Sequence, residues 1–344
     1  MTRASYVVPI RRAVPEGPGE LSEYLRRLSG EVDEVIVVDG SDPDVFEEHA
    51  ALWGDAVRHV PVDPSSVTPM GKVGGVLTGV RLARNERVVI GDDDVFYTPE
   101  ALARVVDLLG RAHVVRPQNY FDPLPWHALW DTGRTLLNRL WGGDWPGTLG
   151  VRRSALLATG GYDGGAMFEN LELVRTVRAA GGVEEAPLDL FVLRRPPDSG
   201  HFFSQRVRQA YDEFARPPRM VLSLAVLPLA LALAARGRWK GLAAGVGAIS
   251  LLAEWGRRRA GGREVFPAAA SLLAPAWVAE RAVCAWLALG SRVFRGGIPY
   301  GGSVLRLAAN SERELRRRHA GAIAAAALEG EMAVLRGEVD GDGV

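Results

Sequence analysis

The stretch that constrains this chain most is Glu86-Arg87-Val88-Val89-Ile90-Gly91-Asp92-Asp93-Asp94-Val95-Phe96-Tyr97. Val88, Val89 and Ile90 form a β-branched apolar run, the mark of a strand buried on both faces. A glycine ends the run and three carboxylates follow. Thr98-Pro99-Glu100 then supplies a cap residue and a first-turn proline for a helix. Acids at the carboxyl end of a central strand lie where open α/β sheets bind ligands. Three like charges so close repel one another unless a cation neutralises them. Asp92 and Asp94 share one face of an extended turn and can both reach a hard divalent ion, directly or through water. The competing reading is a solvated acidic turn that caps the next helix.

The preceding residues place this strand in a sheet. Residues 5–10, 34–38 and 56–60 read as strands, and residues 21–28, 46–53 and 71–84 as helices between them. Strands alternating with helices of this length predict βαβ units and a parallel, doubly wound sheet. Two strands then end in acidic turns, at Asp39 and at Asp92-Asp93-Asp94, and both open on the same rim.

Beyond residue 114 the pattern loosens. Trp126, Trp130, Trp141 and Trp145 fall close together and are expected to pack in the core. The alternative is an apolar wall for an acceptor or a membrane-facing lip. Residues 148–151 read as a strand, 152–158 as a helix, and 167–180 as another helix. In the last of these Glu169 and Glu172 lie on neighbouring positions of one face. Acids there also suit the positive end of a helix without any chemistry.

Composition matters from residue 220 onward. The 344-residue chain is 47% hydrophobic and 24% charged with a formal net charge of zero. No global field therefore draws nucleic acid, and none is expected as a partner. A lone Cys284 excludes an intramolecular disulfide, and no signal peptide is apparent in the first dozen residues. Residues 220–235 and 241–253 carry no charge, with Arg236, Arg238 and Lys240 between them and Arg257-Arg258-Arg259 after them. The first run is roughly 24 Å long as a helix, short of the ~30 Å hydrocarbon core. The expectation is a membrane hairpin over 220–253, with a buried helical hairpin as the alternative. Glu280-Arg281 breaks the next apolar stretch, so 266–289 reads as an interfacial helix. Three regions result: 1–216, membrane-associated helices over 217–309, and a polar helical tail over 310–344 that frays from residue 337.

Taken in order, these motifs resemble the family 2 glycosyltransferases of the GT-A fold, in a member with a membrane-attached C-terminal region. Val7-Val8-Pro9-Ile10 is similar to the opening strand, and Val37-Val38-Asp39-Gly40-Ser41 to the turn whose Asp contacts the nucleotide. Gly71-Lys72-Val73-Gly74-Gly75 is similar to the family's GK segment, and Asp92-Asp93-Asp94 to its metal-binding DxD. Gln205-Arg206-Val207-Arg208-Gln209 resembles QxxRW, with Gln209 where Trp is usual. Gly296-Gly297-Ile298-Pro299-Tyr300 resembles a terminal segment of membrane-bound members.

The resemblance implies a Rossmann-like, mostly parallel catalytic sheet and an inverting transfer from a nucleotide-diphosphate sugar. Asp92 and Asp94 would hold Mg²⁺ or Mn²⁺, and Pro9, Asp39, Lys72, Asp92 and Asp93 would line the donor site. Arg208 would bind the leaving pyrophosphate and Gln205 would help close the site, while His201 reads as a loop histidine ahead of a third metal ligand. The acceptor would be lipid-linked or hydrophobic, and the catalytic domain would face the cytoplasm at the cell membrane. One departure stands out. The family's Glu-Asp pair reads Glu169-Asn170 here, and an amide cannot take a proton, so either Glu169 or Glu172 serves as base or the acceptor needs little activation. A catalytically degenerate relative and a nucleotidyltransferase are the competing expectations.

Overall fold

The computed structural model describes residues 2–335. Its first part runs β1 (Thr2–Ile10), α1 (Glu20–Glu31), β2 (Val32–Asp39), α2 (Pro43–Trp53), β3 (Arg58–Pro61), α3 (Gly71–Leu82), β4 (Arg87–Gly91), β5 (Val95–Phe96) and α4 (Pro99–Leu108). Strands pair in the order β3-β2-β1-β4, all parallel. Val7, Ile36, Val38, Val88 and Ile90 point to the face covered by α3, and Tyr6, Val8, Val35, Val37 and Val89 to the face covered by α1 and α4. Burial on both faces is why these strands read as unbroken apolar runs. α3 lies flush on β1 because its contact face is glycine. A Cβ on Gly75 would stand 2.8 Å from Pro9 Cβ, and one on Gly79 would overlap Val7. This close approach brings Lys72, in the first turn of α3, to the carboxyl rim of the sheet.

The second part comprises β6 (Val114–Val115), β7 (Gln118–Phe121), α5 (Trp126–Asn138), β8 (Thr148–Arg152), α6 (Arg153–Ala158), α7 (Glu169–Ala179), β9 (Glu184–Glu185), β10 (Phe191–Arg194) and α8 (Ser199–Tyr211). β8 runs antiparallel between β4 and β6, and β9 is parallel to β6. The sheet is therefore mostly parallel, in the order β3-β2-β1-β4-β8-β6-β9, rather than parallel throughout. A second small sheet, β5-β10-β7, crosses the rim. The tryptophans do not form a core. Trp126 is 55% and Trp141 82% exposed, while half-buried Trp145 packs edge-on against Phe168 and lies under the Arg116 guanidinium.

The third part is helical: α9 (Pro217–Ala235), α10 (Trp239–Arg258), α11 (Gly262–Val265) and α12 (Ala268–Arg295), then a hairpin of β11 (Ile298–Tyr300) and β12 (Ser303–Leu305), α13 (Glu312–His319) and α14 (Ala322–Leu335). Among the described residues, two helices are long and apolar enough to cross a membrane, α9 and α12. The expected 220–253 pair corresponds to α9 and α10, of which only α9 meets this measure, while α12, expected to be broken at Glu280-Arg281, continues through it. Both charges turn inward: Glu280 Oε2 accepts from Arg206 Nε at 2.9 Å, and Arg281 is 4% exposed. α14 is Ala-rich rather than polar, and Ile323 packs on the sheet core. The fraying expected over 337–344 lies outside the described residues.

Candidate active site

Three strand ends meet at the rim. Arg12, just past β1, donates its backbone N–H to Ser41 Oγ past β2 (2.9 Å), and its guanidinium pairs with Asp93 past β4 (2.7 Å). Asp92 donates its N–H to the Gly147 carbonyl at 2.8 Å. Gly147 is required by space, since a Cβ there would stand 2.6 Å from Asp92 Oδ2. Pairing of Arg194 with Val95 across β10 and β5 sets the Arg194 guanidinium beside the acids. Its Nε donates to Asp94 Oδ2 at 2.9 Å, and an Nη lies 3.5 Å from Asp92 Oδ2.

Lys72 Nζ lies 2.5 Å from both Asp92 Oδ1 and Glu169 Oε1, joining α3, the acidic turn and the start of α7. Burial works against its charge, but Asp92 and Glu169 outweigh that and hold the ammonium protonated. Glu169 Oε2 accepts the Asn170 N–H at 2.8 Å, and the Asn170 amide donates to the Pro146 carbonyl at 2.8 Å. Burial raises the carboxyls of Asp93 and Asp94. Asp92 raises both further, while Arg12 and Arg194 respectively oppose the rise. Asp94 Oδ1 is buried with no hydrogen-bond partner among the described residues. An acid cluster with one orphaned, closed-off oxygen suits a divalent cation, so the residues present fit the expected metal.

Lys72, Asp92, Glu169, Asn170 and Arg194 face a cleft of ≈ 190 Å³ whose far side is helical. There Arg134 pairs with Asp131 and Asp144, Arg219 with Asn138 and Glu213, and Arg216 with Glu213. Arg281, Gln209 and Asp212 complete that wall. Burial pushes the Asp212 carboxyl up to about 8; Arg216 opposes this and Glu169 adds to it.

The structure brings Lys72, Asp92, Glu169 and Asn170 together on the cleft and sets Asp93 and Asp94 beside them. Pro9 lies one strand over, its ring against α3. Other expected site residues fall elsewhere. The Asp39 side chain is closed off from solvent: Oδ1 accepts from the Ser41 N–H (2.8 Å), and Oδ2 meets His49 Nδ1 (2.6 Å) and His59 Nε2 (3.1 Å). Burial raises its carboxyl, but the bonds from His59, Ser41 and His49 outweigh that and hold it low. These contacts have hydrogen-bond spacing, so the trio braces the rim and leaves Asp39 no free oxygen for a nucleotide. Glu172 is fully buried and turned away from the cleft. Its two oxygens accept the Asn310 N–H (2.7 Å) and amide (2.8 Å). Gln205 and Arg208 do not line the cleft formed by the described residues. Gln205 meets His201 one turn earlier on the exposed side, and Arg208 lies over the Tyr300 ring. Gln209 faces the cleft instead, and Arg206 is buried between Asp131 and Glu280. The helix register explains the swap: the packed face of α8 carries Phe202, Arg206 and Ala210, which turns Arg208 toward the β11 hairpin. Arg194 at the rim and the helical wall of Arg134, Arg216, Arg219 and Arg281 were missed, the wall's one sequence signal being a charged pair inside the apolar 266–289 stretch.

The family model described as "Glycosyl transferase family 2" matches residues 7–168. No curated protein matches the sequence. Among solved structures the fold is similar to mannosyltransferase PcManGT from Pyrobaculum calidifontis in complex with GDP-Man and Mn²⁺ (TM-score 0.45, 19% identity, 95% of this chain and 86% of that chain). It is also similar to glucosyl-3-phosphoglycerate synthase from Mycobacterium tuberculosis in complex with Mg²⁺ and uridine-diphosphate (0.42, 19%, 61% and 77%). A third is S. aureus TarS in complex with UDP-GlcNAc (0.40, 17%, 59% and 61%). Strand order and acidic rim agree with that match: residues 7–168 are similar to the glycosyl transferase family 2 model.

Proposed function

We propose that this chain is a metal-dependent, inverting glycosyltransferase that moves a sugar from a nucleotide-diphosphate donor to a lipid-linked or hydrophobic acceptor. The observation that carries the reading is the convergence of Lys72, Asp92 and Glu169 beside the orphaned Asp94 oxygen, in a chain whose residues 7–168 match the family 2 model. Asp92 and Asp94 would hold Mg²⁺ or Mn²⁺, which would neutralise the donor's diphosphate so that the nucleoside diphosphate can leave. Arg194 aims both carboxylates, and Lys72 keeps Asp92 and Glu169 at one place on the cleft. Glu169 takes the acceptor hydroxyl proton on its carboxylate, with Oε2 fixed by the Asn170 N–H. Asn170 holds the Pro146 loop rather than a proton.

An apolar surface supports the membrane side of the reading. Val221, Leu222, Leu229 and Leu231 of α9, and Leu251 and Trp255 of α10, are each at least 60% exposed. Such a contiguous surface suits contact with lipid, and a cytoplasmic face is where nucleotide donors are expected. A second reading, a degenerate relative that binds without turning over, is favoured by the grip of Lys72 on Glu169.

Transfer from a panel of nucleotide sugars, measured with the purified full chain, separates the two. The enzyme reading expects turnover that a chelator abolishes and that Asp94→Ala lacks by about a thousandfold, with the fold kept because half-buried Asp94 makes one side-chain ion pair, to Arg194, which also reaches Asp92. Undiminished transfer under chelation would sink the metal assignment. Nucleotide binding with no transfer to any acceptor would favour the relic.

A further inference from the structure

Arg281 stands apart from the other charges of the cleft. It projects from the middle of α12, is 4% exposed and lines the cleft, yet its Nε and Nη1 have no hydrogen-bond partner among the described residues. Of the acids around it, two are engaged by other arginines, while Asp212 on the same wall is driven toward its neutral form by burial, with Oδ1 unpartnered among the described residues. Glu280 pairs with Arg206, and Glu213 pairs with both Arg216 and Arg219. Arg206 and Arg134 are also close enough to repel it. Arg216, beside it on the cleft wall, likewise has a buried Nε without a partner. The Arg281 guanidinium lies over the Trp277 ring, 5.1 Å from its centroid, which offers its charge a face but accepts no hydrogen bond from Nε or Nη1, and buried donors left so are unfavourable unless something anionic completes them. A planar fork of donors matches phosphate-class oxyanions above other anions.

We infer that the helical end of the cleft is an oxyanion site in which Arg281 and Arg216 bind a phosphate-class group carried by the acceptor. The inference rests on the transferase reading for the word acceptor, and on the orphaned arginines alone for the anion. Two features place the phosphate on the acceptor side. The divalent cation that serves the donor's diphosphate belongs to the opposite wall, at Asp92 and Asp94. The helix that presents Arg281 inward also presents Val283, Trp286 and Leu287 outward at 45% exposure or more, beside the exposed face of α9. A lipid phosphate would meet arginine with its head and apolar helix with its chain.

The test uses purified full-length protein with inorganic phosphate and pyrophosphate as probes, in the presence of a chelator and without donor. Calorimetry and thermal melting supply the readouts. Wild type is expected to bind and to melt at a higher temperature with either probe. Arg281→Gln should weaken binding at least tenfold and lose the thermal shift, Arg281→Lys should recover part of both, and Asp94→Ala should bind as wild type. Circular dichroism checks that each variant is folded, and the lysine variant serves if the glutamine variant is not. Absence of metal-free binding by wild type, or binding that Arg281→Gln leaves intact, overturns the site. A separate arm measures nucleoside diphosphate with Mn²⁺. Binding there that falls by the same factor in Arg281→Gln assigns the group to the donor and overturns the acceptor assignment. Failure of sugar transfer in every assay would count against the transferase reading while leaving metal-free phosphate binding as its own result.

Discussion

At the sheet rim, Asp92, Asp93, Asp94 and Glu169 face Lys72, Arg12 and Arg194, and the buried atoms left without a hydrogen-bond partner among the described residues include Asp94 Oδ1 and Arg12 Nε. At the helical end, Arg134, Arg216, Arg219 and Arg281 face Asp131, Asp144, Asp212 and Glu213, and the atoms left over include Nε and Nη1 of Arg281, Nε of Arg134 and Arg216, and Asp212 Oδ1. The rim keeps an unpartnered carboxylate oxygen, and the helical end a guanidinium with two unpartnered nitrogens. Folded chains pair their buried charges almost completely, so such remainders mark what the molecule is built to receive. The two ends also differ in support. The rim is held by strand ends and backbone hydrogen bonds, whereas the helical wall depends on packing among α5, α8, α9 and α12.

The largest effect separating the ends should come from Glu169, which sits between them. Glu169→Gln keeps shape and removes the proton acceptor, so turnover should fall at least a hundredfold while donor affinity is kept. Asn170→Asp should be tolerated. Steady-state kinetics with donor titrated separately from acceptor gives both numbers, and a loss confined to donor KM would move Glu169 from chemistry to binding.

A smaller effect tests how the rim is braced. Residues 307–310 run back along the start of α7, where the Met167 and Phe168 N–H groups donate to the Leu307 and Ala308 carbonyls, and Glu172 clamps Asn310. Glu172→Ala leaves buried donors of Asn310 without acceptors and should cost about 2 kcal/mol or more of stability. Chemical denaturation measures it, and a change within a few tenths of a kcal/mol would remove Glu172 from the bracing.

The smallest effect is one of pH at the helical end. Asp212 is pushed up to about 8 by burial, and it faces Arg216 and Glu213 from its own stretch, Glu169 from α7 and Arg281 from α12. Below about pH 8 the carboxyl is protonated and neutral; above it the group ionises and repels an oxyanion. Phosphate binding should therefore weaken a few-fold as pH rises through 8, and Asp212→Asn should flatten that slope. A pH titration by calorimetry that is flat for wild type would detach Asp212 from the site.

The two ends were not equally legible in the sequence. Asp92-Asp93-Asp94 follows from local signals, because a strand end and a helix start fix where the acids lie, whereas Lys72 and the role of Glu169 came through the family resemblance. Asp39 shows the limit even there. Its position at the strand end was readable, but its saturation by His49 and His59 depends on how α2 and β3 pack back onto β2. Gln209 in place of Gln205 and Arg208 depends on which face of α8 is buried. Arg281 depends on α12 crossing α5 and α8, and periodicity within one helix carries no information about that contact. Glu280-Arg281 inside an apolar stretch did mark the place, but burial in protein and position at a lipid interface give the same local pattern.

The central claim is that Asp94 belongs to a cation site serving a nucleotide diphosphate. Mn²⁺ binding to the full chain, followed by the paramagnetic resonance of the free ion in the presence of UDP or GDP, tests it most directly. The account predicts nucleotide-dependent Mn²⁺ binding by wild type that Asp94→Ala weakens at least tenfold while Arg281→Gln leaves it unchanged. Equal Mn²⁺ affinity in wild type and Asp94→Ala would contradict it.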